Sequence, residues 1–174
     1  MLSIKNLLFL AVAATGSVIK RDAAAVKQSL QTVNSDTQAV TTAVNNYNGG
    51  GIVNALPIVN AQQQLSKDIK SATQTAKDAG TVSEADATDI INYITGTLQP
   101  SIATTLTALK GKKDKFDADG LSSTVKSSLE SLKTDTDDLG AALIGGTPPS
   151  KTEEAKAVQA KIDSSLDDAI AYFS

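Results

Sequence analysis

Residues 87–109 read ATDIINYITGTLQPSIATTLTAL. Ala87, Ile91, Ile94, Leu98, Ile102, Thr105 or Leu106, and Leu109 recur at steps of three and four, and the stripe extends to Phe116. That spacing lays one apolar face along an α-helix. The stripe crosses Pro100 without losing phase. Two helices separated at the proline would have no reason to share a register, so the segment is predicted to be one long helix kinked at Pro100. Gly96 stands four residues earlier, at the carbonyl that the proline ring displaces, and can absorb the bend.

Working outward, the same pattern fills the chain. Val26, Leu30, Val33, Thr37, Val40, Val44 and Tyr47 form a first helical stripe, ended by Asn48-Gly49-Gly50-Gly51. A second helix is predicted from Asn54 or Ala55, with Pro57 in its first turn. Its stripe is Ile58, Gln62, Leu65, Ile69, Ala72 and Ala76, and Gly80 is its stop. Ser83 and Asp86 form a weak capping box for the helix around Pro100. Asp117 or Asp119 is expected to cap a fourth helix carrying Leu121, Val125, Leu129, Leu132, Leu139 and Leu143. Ser150-Lys151-Thr152-Glu153 reads as a full capping box for a fifth, with Ala155, Val158, Ile162, Leu166, Ala169, Ile170 and Phe173. No segment alternates with period two. The expected fold is all-α, an antiparallel bundle of five long amphipathic helices, with Tyr47, Phe116, Tyr172 and Phe173 clustered near its ends.

Composition narrows the chemistry. The 174 residues suit one domain, and 41% hydrophobic with 20% charged residues is enough to bury a core. The chain has no Cys, no His and no Trp, and its one Met is Met1. Disulfides, thiol nucleophiles, imidazole bases and ordinary zinc sites are therefore excluded. An enzyme would have to work with carboxylates or lysines alone, and none is expected; no cofactor is implied.

The N-terminus reads as an address. Lys5 precedes an apolar run from Leu7 to Ala14, followed by the small residues Thr15, Gly16 and Ser17. This is the order of a secretory signal peptide, and it is too short for a membrane span. Lys20-Arg21 resembles a processing site, so residues 1–21 are expected to be removed and 22–174 to form a single helical-bundle domain. Removing Lys5, Lys20 and Arg21 leaves 13 basic against 19 acidic residues, a net charge of −6. Such a surface does not attract nucleic acid. No Asn-x-Ser/Thr sequon occurs, and the C-terminus carries no hydrophobic anchor tail. A secreted, untethered protein is expected.

Several short motifs do not carry the chemistry they suggest. Asp117-Ala118-Asp119-Gly120 has the wrong frame for a calcium loop, since Lys115 and Lys126 would occupy the ligand positions. Ser123-Thr124-Val125-Lys126 lacks the companion motifs of a serine–lysine acyl-enzyme. Gly49-Gly50-Gly51 lacks the strand and lysine of a phosphate loop. Asp135, Asp137 and Asp138 are read as a solvated acidic face.

The polar residues inside the apolar stripes are more informative: Thr37, Gln62, Thr105, Ser128 and Thr136, with Ser165 beside Leu166. Either their hydroxyls bond back to carbonyls one turn earlier, or some line a cavity and hold the polar end of an apolar ligand. Thin aliphatic seams flanked by Ala, Ser and Thr limit interdigitation and can leave a gap for an acyl chain, where each buried methylene contributes roughly 0.8 kcal/mol. The same stripes can also spread on an oil or polymer surface.

The Lys-Arg-Asp start, the Cys-free five-helix pattern, the run Leu106 to Phe116 (LTALKGKKDKF) and the ending Ala155 to Phe173 together resemble one family. It is the fungal hydrophobic surface-binding protein A and cell-wall galactomannoprotein family. The resemblance covers essentially all of residues 22–174. It implies an extracellular helical domain, free or cell-wall associated, that encloses fatty-acid-like lipids or adsorbs to hydrophobic surfaces. Some members recruit a polyester-degrading, cutinase-like hydrolase; others are mannosylated wall proteins. With one domain, no Ser/Thr-Pro stalk and no anchor signal, soluble binding of a fatty acid or other lipid is the expected role. The residues expected to face that ligand are Thr37, Gln62, Ile69, Ile94, Leu98, Ile102, Thr105, Ser128, Leu129, Leu132, Ile162 and Leu166.

Overall fold

The computed structural model describes residues 15–174, with side chains from Asp22 onward. Of the segment expected to be removed, 1–21, residues 1–14 lie outside the described residues and 15–21 form the start of the first helix. Among the described residues, every regular element is helical: α1 Thr15–Asn46, α2 Gly51–Ala79, α3 Glu84–Tyr93, α4 Gln99–Lys110, α5 Lys113–Ala118, α6 Ser122–Gly145 and α7 Thr152–Tyr172. A π-turn, Ile94–Leu98, joins α3 to α4, and a single 3-10 turn, Pro149–Lys151, leads into α7.

The segment around Pro100 is one unbroken helical unit, as its stripe requires. The proline is absorbed by the π-turn just before it, where Gln99 N–H reaches back to the Ile94 carbonyl. Opening the helix to a five-residue step gives the ring the room that a four-residue step denies it. Gly96 lies inside that turn.

Helix ends depart from the sequence reading because the capping groups come from elsewhere in the chain. α2 starts at Gly51, three residues before Asn54, and places Pro57 in its interior. Asp119 makes this possible: its carboxylate accepts the Gly50 and Gly51 N–H groups and the Tyr47 hydroxyl. Asp119 therefore serves α2. The first residue of α6 is instead tied to Asp117, which accepts from the Ser122 hydroxyl and Lys113. The third stripe also ends early, since α4 stops at Lys110 and Phe116 belongs to the separate short α5. At α7 the capping box does not form. The Ser150 hydroxyl donates to Glu84 Oε1 at 2.5 Å, and Thr152 bonds back to the Pro148 carbonyl at 3.1 Å. Ser83 does cap α3, accepting the Asp86 N–H at 3.2 Å.

The long helices close into a ring. α1 packs on α2, α2 on α6, α6 on α7, α7 on α4, and α4 back on α1. Successive long helices run antiparallel, as short loops demand, yet ring neighbours include parallel pairs. Thr41 meets Thr105, and further along Lys112 Nζ meets the Asn45 and Tyr47 carbonyls, so α1 and α4 run together. Asp119, just ahead of α6, caps the start of α2, and Ser66 then bonds Asp135, so α2 and α6 also run together.

The two ends of the ring are built differently. At one, Tyr47 stacks on Phe116 at 4.8 Å, Phe116 meets Phe173 edge-on at 6.2 Å, and Tyr172 meets Phe173 at 5.9 Å. This is the predicted aromatic cluster. At the other, Val82 N–H bonds the Gly146 carbonyl at 3.0 Å. A Cβ on Gly146 would stand 2.6 Å from the Gly80 carbonyl oxygen, so that loop contact requires glycine. Leu30 and Val44 on α1 and Phe116 in the aromatic cluster are fully buried, each contributing about 1.5–3 kcal/mol of apolar burial.

Candidate functional site

The ring is not filled. A cavity of ≈ 130 Å³ lies along its axis and reaches the Gly80 and Gly146 end. Apart from Thr37, Thr105, Thr136, Thr147 and Gln159, its side-chain lining is apolar. On α1 it extends from Val26 to Val40, about 21 Å of helix at 1.5 Å per residue, which gives it the shape of a long slot. A second cavity of ≈ 60 Å³ lies toward the aromatic end, between the first halves of α2 and α6. Val40, Leu109, Leu129 and Leu132 line both and form the partition.

Ten of the twelve residues singled out from the sequence line the larger cavity: Thr37, Ile69, Ile94, Leu98, Ile102, Thr105, Leu129, Leu132, Ile162 and Leu166. Gln62 and Ser128 line the smaller one. The sequence reading missed Gln159, whose only signal is its place three residues before Ile162 on the α7 stripe. It also missed Ile52, Leu121 and Val125 as walls of the smaller cavity.

Hydrogen bonding separates the polar residues. The Thr37 hydroxyl donates to the Val33 carbonyl at 2.8 Å. The Thr105 hydroxyl lies 3.0 Å from the Ser101 carbonyl, 3.2 Å from that of Thr37, and 2.6 Å from the Thr41 hydroxyl. These two threonines are satisfied by the bundle itself, as buried hydroxyls must be. Gln159 directs its amide to Asp163 at 2.6 Å and toward Asp137 at 3.4 Å. Gln62, Ser128 and Thr136 make no protein side-chain hydrogen bond among the described residues, so their donors remain free to meet a ligand.

Carboxylates fasten the helices around the larger cavity. Asp135 is buried and bonded to Ser66, with Lys70 Nζ 3.4 Å away. It is not part of the solvated face expected from the sequence, because α6 turns that side toward α2, its parallel neighbour. Asp36 on α1 faces Asp68 on α2, and burial together with that second carboxyl pushes its pKa up to about 6. Its Oδ2, like Asn34 Oδ1, is buried without a hydrogen-bond partner. Asp163 on α7 is likewise raised by burial and by Asp137 on α6. Tyr47 is pushed up to about 12 by burial and by Asp119, so its phenol remains a donor.

Among the described residues no cluster of three or more Asp or Glu side chains could hold a metal ion, and no helix is long and apolar enough to cross a membrane. Residues 23–145 match the family described as hydrophobic surface binding protein A.

The chain belongs to that family.

Its relatives include cell wall mannoprotein 1 of Aspergillus fumigatus, 29% identical over 153 residues that make up 88% of this chain and 52% of the relative. The Aspergillus flavus protein of the same name is 25% identical, with 53% of its length covered. The chain thus spans about half the length of these mannoproteins. Among solved structures, Afmp4p in complex with palmitic acid superposes with a TM-score of 0.83 at 34% identity, covering 87% of this chain and 99% of that one. Ligand binding domain 1 of the Penicillium marneffei MP1 protein, complexed with arachidonic acids, has a TM-score of 0.82 at 19% identity, covering 88% and 99%. At that identity the second likeness speaks for the fold alone.

Proposed function

We propose that this member of the hydrophobic surface binding protein A family is a secreted, non-catalytic carrier of long-chain fatty acids. The observation that carries the reading is the slot itself: five helices enclose an elongated apolar space in a chain otherwise packed to bury its aliphatic stripes. Such a space gains nothing from water and much from methylenes. The palmitic acid held by Afmp4p supports the ligand class.

The free donors orient the ligand. The carboxylate lies in the smaller cavity, accepting from the Gln62 amide and the Ser128 hydroxyl. The chain passes Leu129 and Leu132 and fills the larger cavity. Thr37 and Thr105 support the wall and give no hydrogen bond to the headgroup. The alternative use of the same stripes is adsorption to hydrophobic surfaces through the apolar helix faces, with recruitment of a hydrolase.

Native mass spectrometry of the secreted protein, purified without detergent, tests the proposal before and after delipidation. A discrete fatty-acid adduct, lost on delipidation and restored by palmitate at one equivalent, is expected. A protein that stays bare under palmitate titration removes the carrier reading.

A further inference from the structure

Charged residues stop at Asp36 and resume only at Lys67, so thirty consecutive residues carry no formal charge in a chain that is 20% charged. These residues form the second half of α1, the Gly49–Gly51 turn and the first half of α2. On that hairpin Ile52, Val53 and Leu56 are 51%, 70% and 47% exposed. Tyr172, the other exposed large hydrophobic among the described residues, joins the same end through its contact with Phe173 and the Phe116–Tyr47 stack. An aliphatic patch on an uncharged hairpin is what an apolar phase accepts and water does not.

The patch is continuous with the site. Ile52 is half exposed on the outside and lines the smaller cavity on the inside. The segment it belongs to is also lightly held. Of residues 51–57 only Ala55 is buried. Gly49, Gly50 and Gly51 have φ of 88°, 101° and 79°. Pro57 has no N–H to give the Val53 carbonyl, so the turn ahead of it lacks one helical bond. The Asp119 carboxylate is the tie at its start.

We infer that the amino-terminal segment of α2, Gly51 to Leu56, is the portal through which this protein exchanges acyl chains with a lipid surface, Ile52, Val53 and Leu56 docking into that surface. The inference rests on the fatty-acid-carrier reading and adds the route. The tail enters first past Ile52, crosses the Leu129–Leu132 partition into the slot, and leaves the carboxylate behind at Gln62 and Ser128. Transfer on this route requires collision with the lipid aggregate; it does not wait for monomers to leave the aggregate and diffuse through water.

Phosphatidylcholine vesicles carrying anthroyloxy-labelled palmitate provide the test, with the transfer rate followed as vesicle concentration is raised. The rate to the wild-type protein is expected to rise with vesicle concentration. The double variant Val53→Ser, Leu56→Ser, at two exposed positions that line neither cavity, is expected to lose about tenfold in that rate while keeping its equilibrium affinity for soluble palmitate. Because the chain has no cysteine, Val53→Cys accepts a single environment-sensitive dye. That dye is expected to shift to the blue on adding vesicles, while the same dye at Ser164→Cys on α7 does not. A rate independent of vesicle concentration, an unchanged rate in the double variant, or equal shifts at both dye positions would overturn the portal and leave the carrier intact. Concentration-dependent dimerisation abolished by the double variant would assign the patch to a second copy and overturn it too. Failure of the wild-type protein to bind soluble palmitate would remove the carrier reading, and the portal with it.

Discussion

The two cavities share four wall residues and differ in what their polar groups are doing. In the larger, Thr37, Thr105 and Thr147 spend their protons on backbone carbonyls, and Thr136 is the one hydroxyl left uncommitted among the described residues. In the smaller, Gln62 and Ser128 face the space with donors uncommitted. A polar residue on an apolar stripe is thus ambiguous until its helix is placed. A hydroxyl bonded back along its own helix is structural, and a side chain that finds no protein partner is available to a ligand. The difference predicts a polarity for the bound chain, head in the smaller cavity and tail in the larger.

The largest effect comes from closing the passage. Leu132 is half-buried and lines both cavities, so Leu132→Trp is expected to stop a tail crossing between them. Denying three or four methylenes their burial costs ~2–3 kcal/mol at ~0.8 kcal/mol each, on the order of 100-fold in Kd. Palmitate titration by displacement of a fluorescent fatty acid measures it. If affinity survives, the ligand lies wholly within the larger cavity and the headgroup assignment moves to Thr136.

Gln62→Leu and Ser128→Ala remove the proposed headgroup donors and are each expected to weaken palmitate by about fivefold, ~1 kcal/mol, with little change in melting temperature. Thr105→Val sharpens the contrast from the other side. It removes a hydroxyl that ties α4 to α1, so it is expected to cost ~1 kcal/mol of folding stability while leaving palmitate Kd within about twofold. Paired denaturation and binding curves for the three variants separate the two roles. A Thr105→Val protein that folds normally but fails to bind would reverse the assignment.

Much of this was legible in the sequence. The stripes placed the α-helices and most of the cavity wall, because period-3.6 patterning reports which face is buried regardless of what it is buried against. The phase across Pro100 foretold one unit where a local rule would have broken it. Three things were not legible. Ring order was one: the parallel contact of α2 with α6 buries Asp135, whose local pattern with Asp137 and Asp138 reads as solvated. Capping was another, because Asp119 serves a helix 68 positions earlier in the chain, starting at Gly51, while the well-formed Ser150–Glu153 motif is left unused when Ser150 finds Glu84. The last was the split between Thr105 and Gln62, which depends on which neighbour each side chain meets across the ring.

A smaller effect distinguishes the halves of the α1–α2 hairpin by pH. The half beside the larger cavity is joined by Asp36 and Asp68; from 37 to 66 there is no charged residue at all. Asp36 holds its proton up to about pH 6 in the folded chain and releases it near 3.8 when unfolded. Between those values the native state binds more protons, so the Asp36 contribution is fully present below about pH 4 and is lost as pH rises through 6. Asp117 and Asp119, whose pKa values are lowered by their Lys113, Ser122 and Tyr47 partners, act in the opposite sense and lose their contribution as pH falls below the ordinary carboxylate range. Melting temperature is therefore expected to decline from pH 4.5 to 7, and Asp36→Asn to flatten most of that decline. Hydrogen exchange should show the loosening in residues 22–36 and 67–79 and not around the Gly49–Gly51 turn. If protection falls equally along the whole hairpin, the carboxyl pair is not what separates its two halves, and the uncharged half owes its behaviour to packing alone.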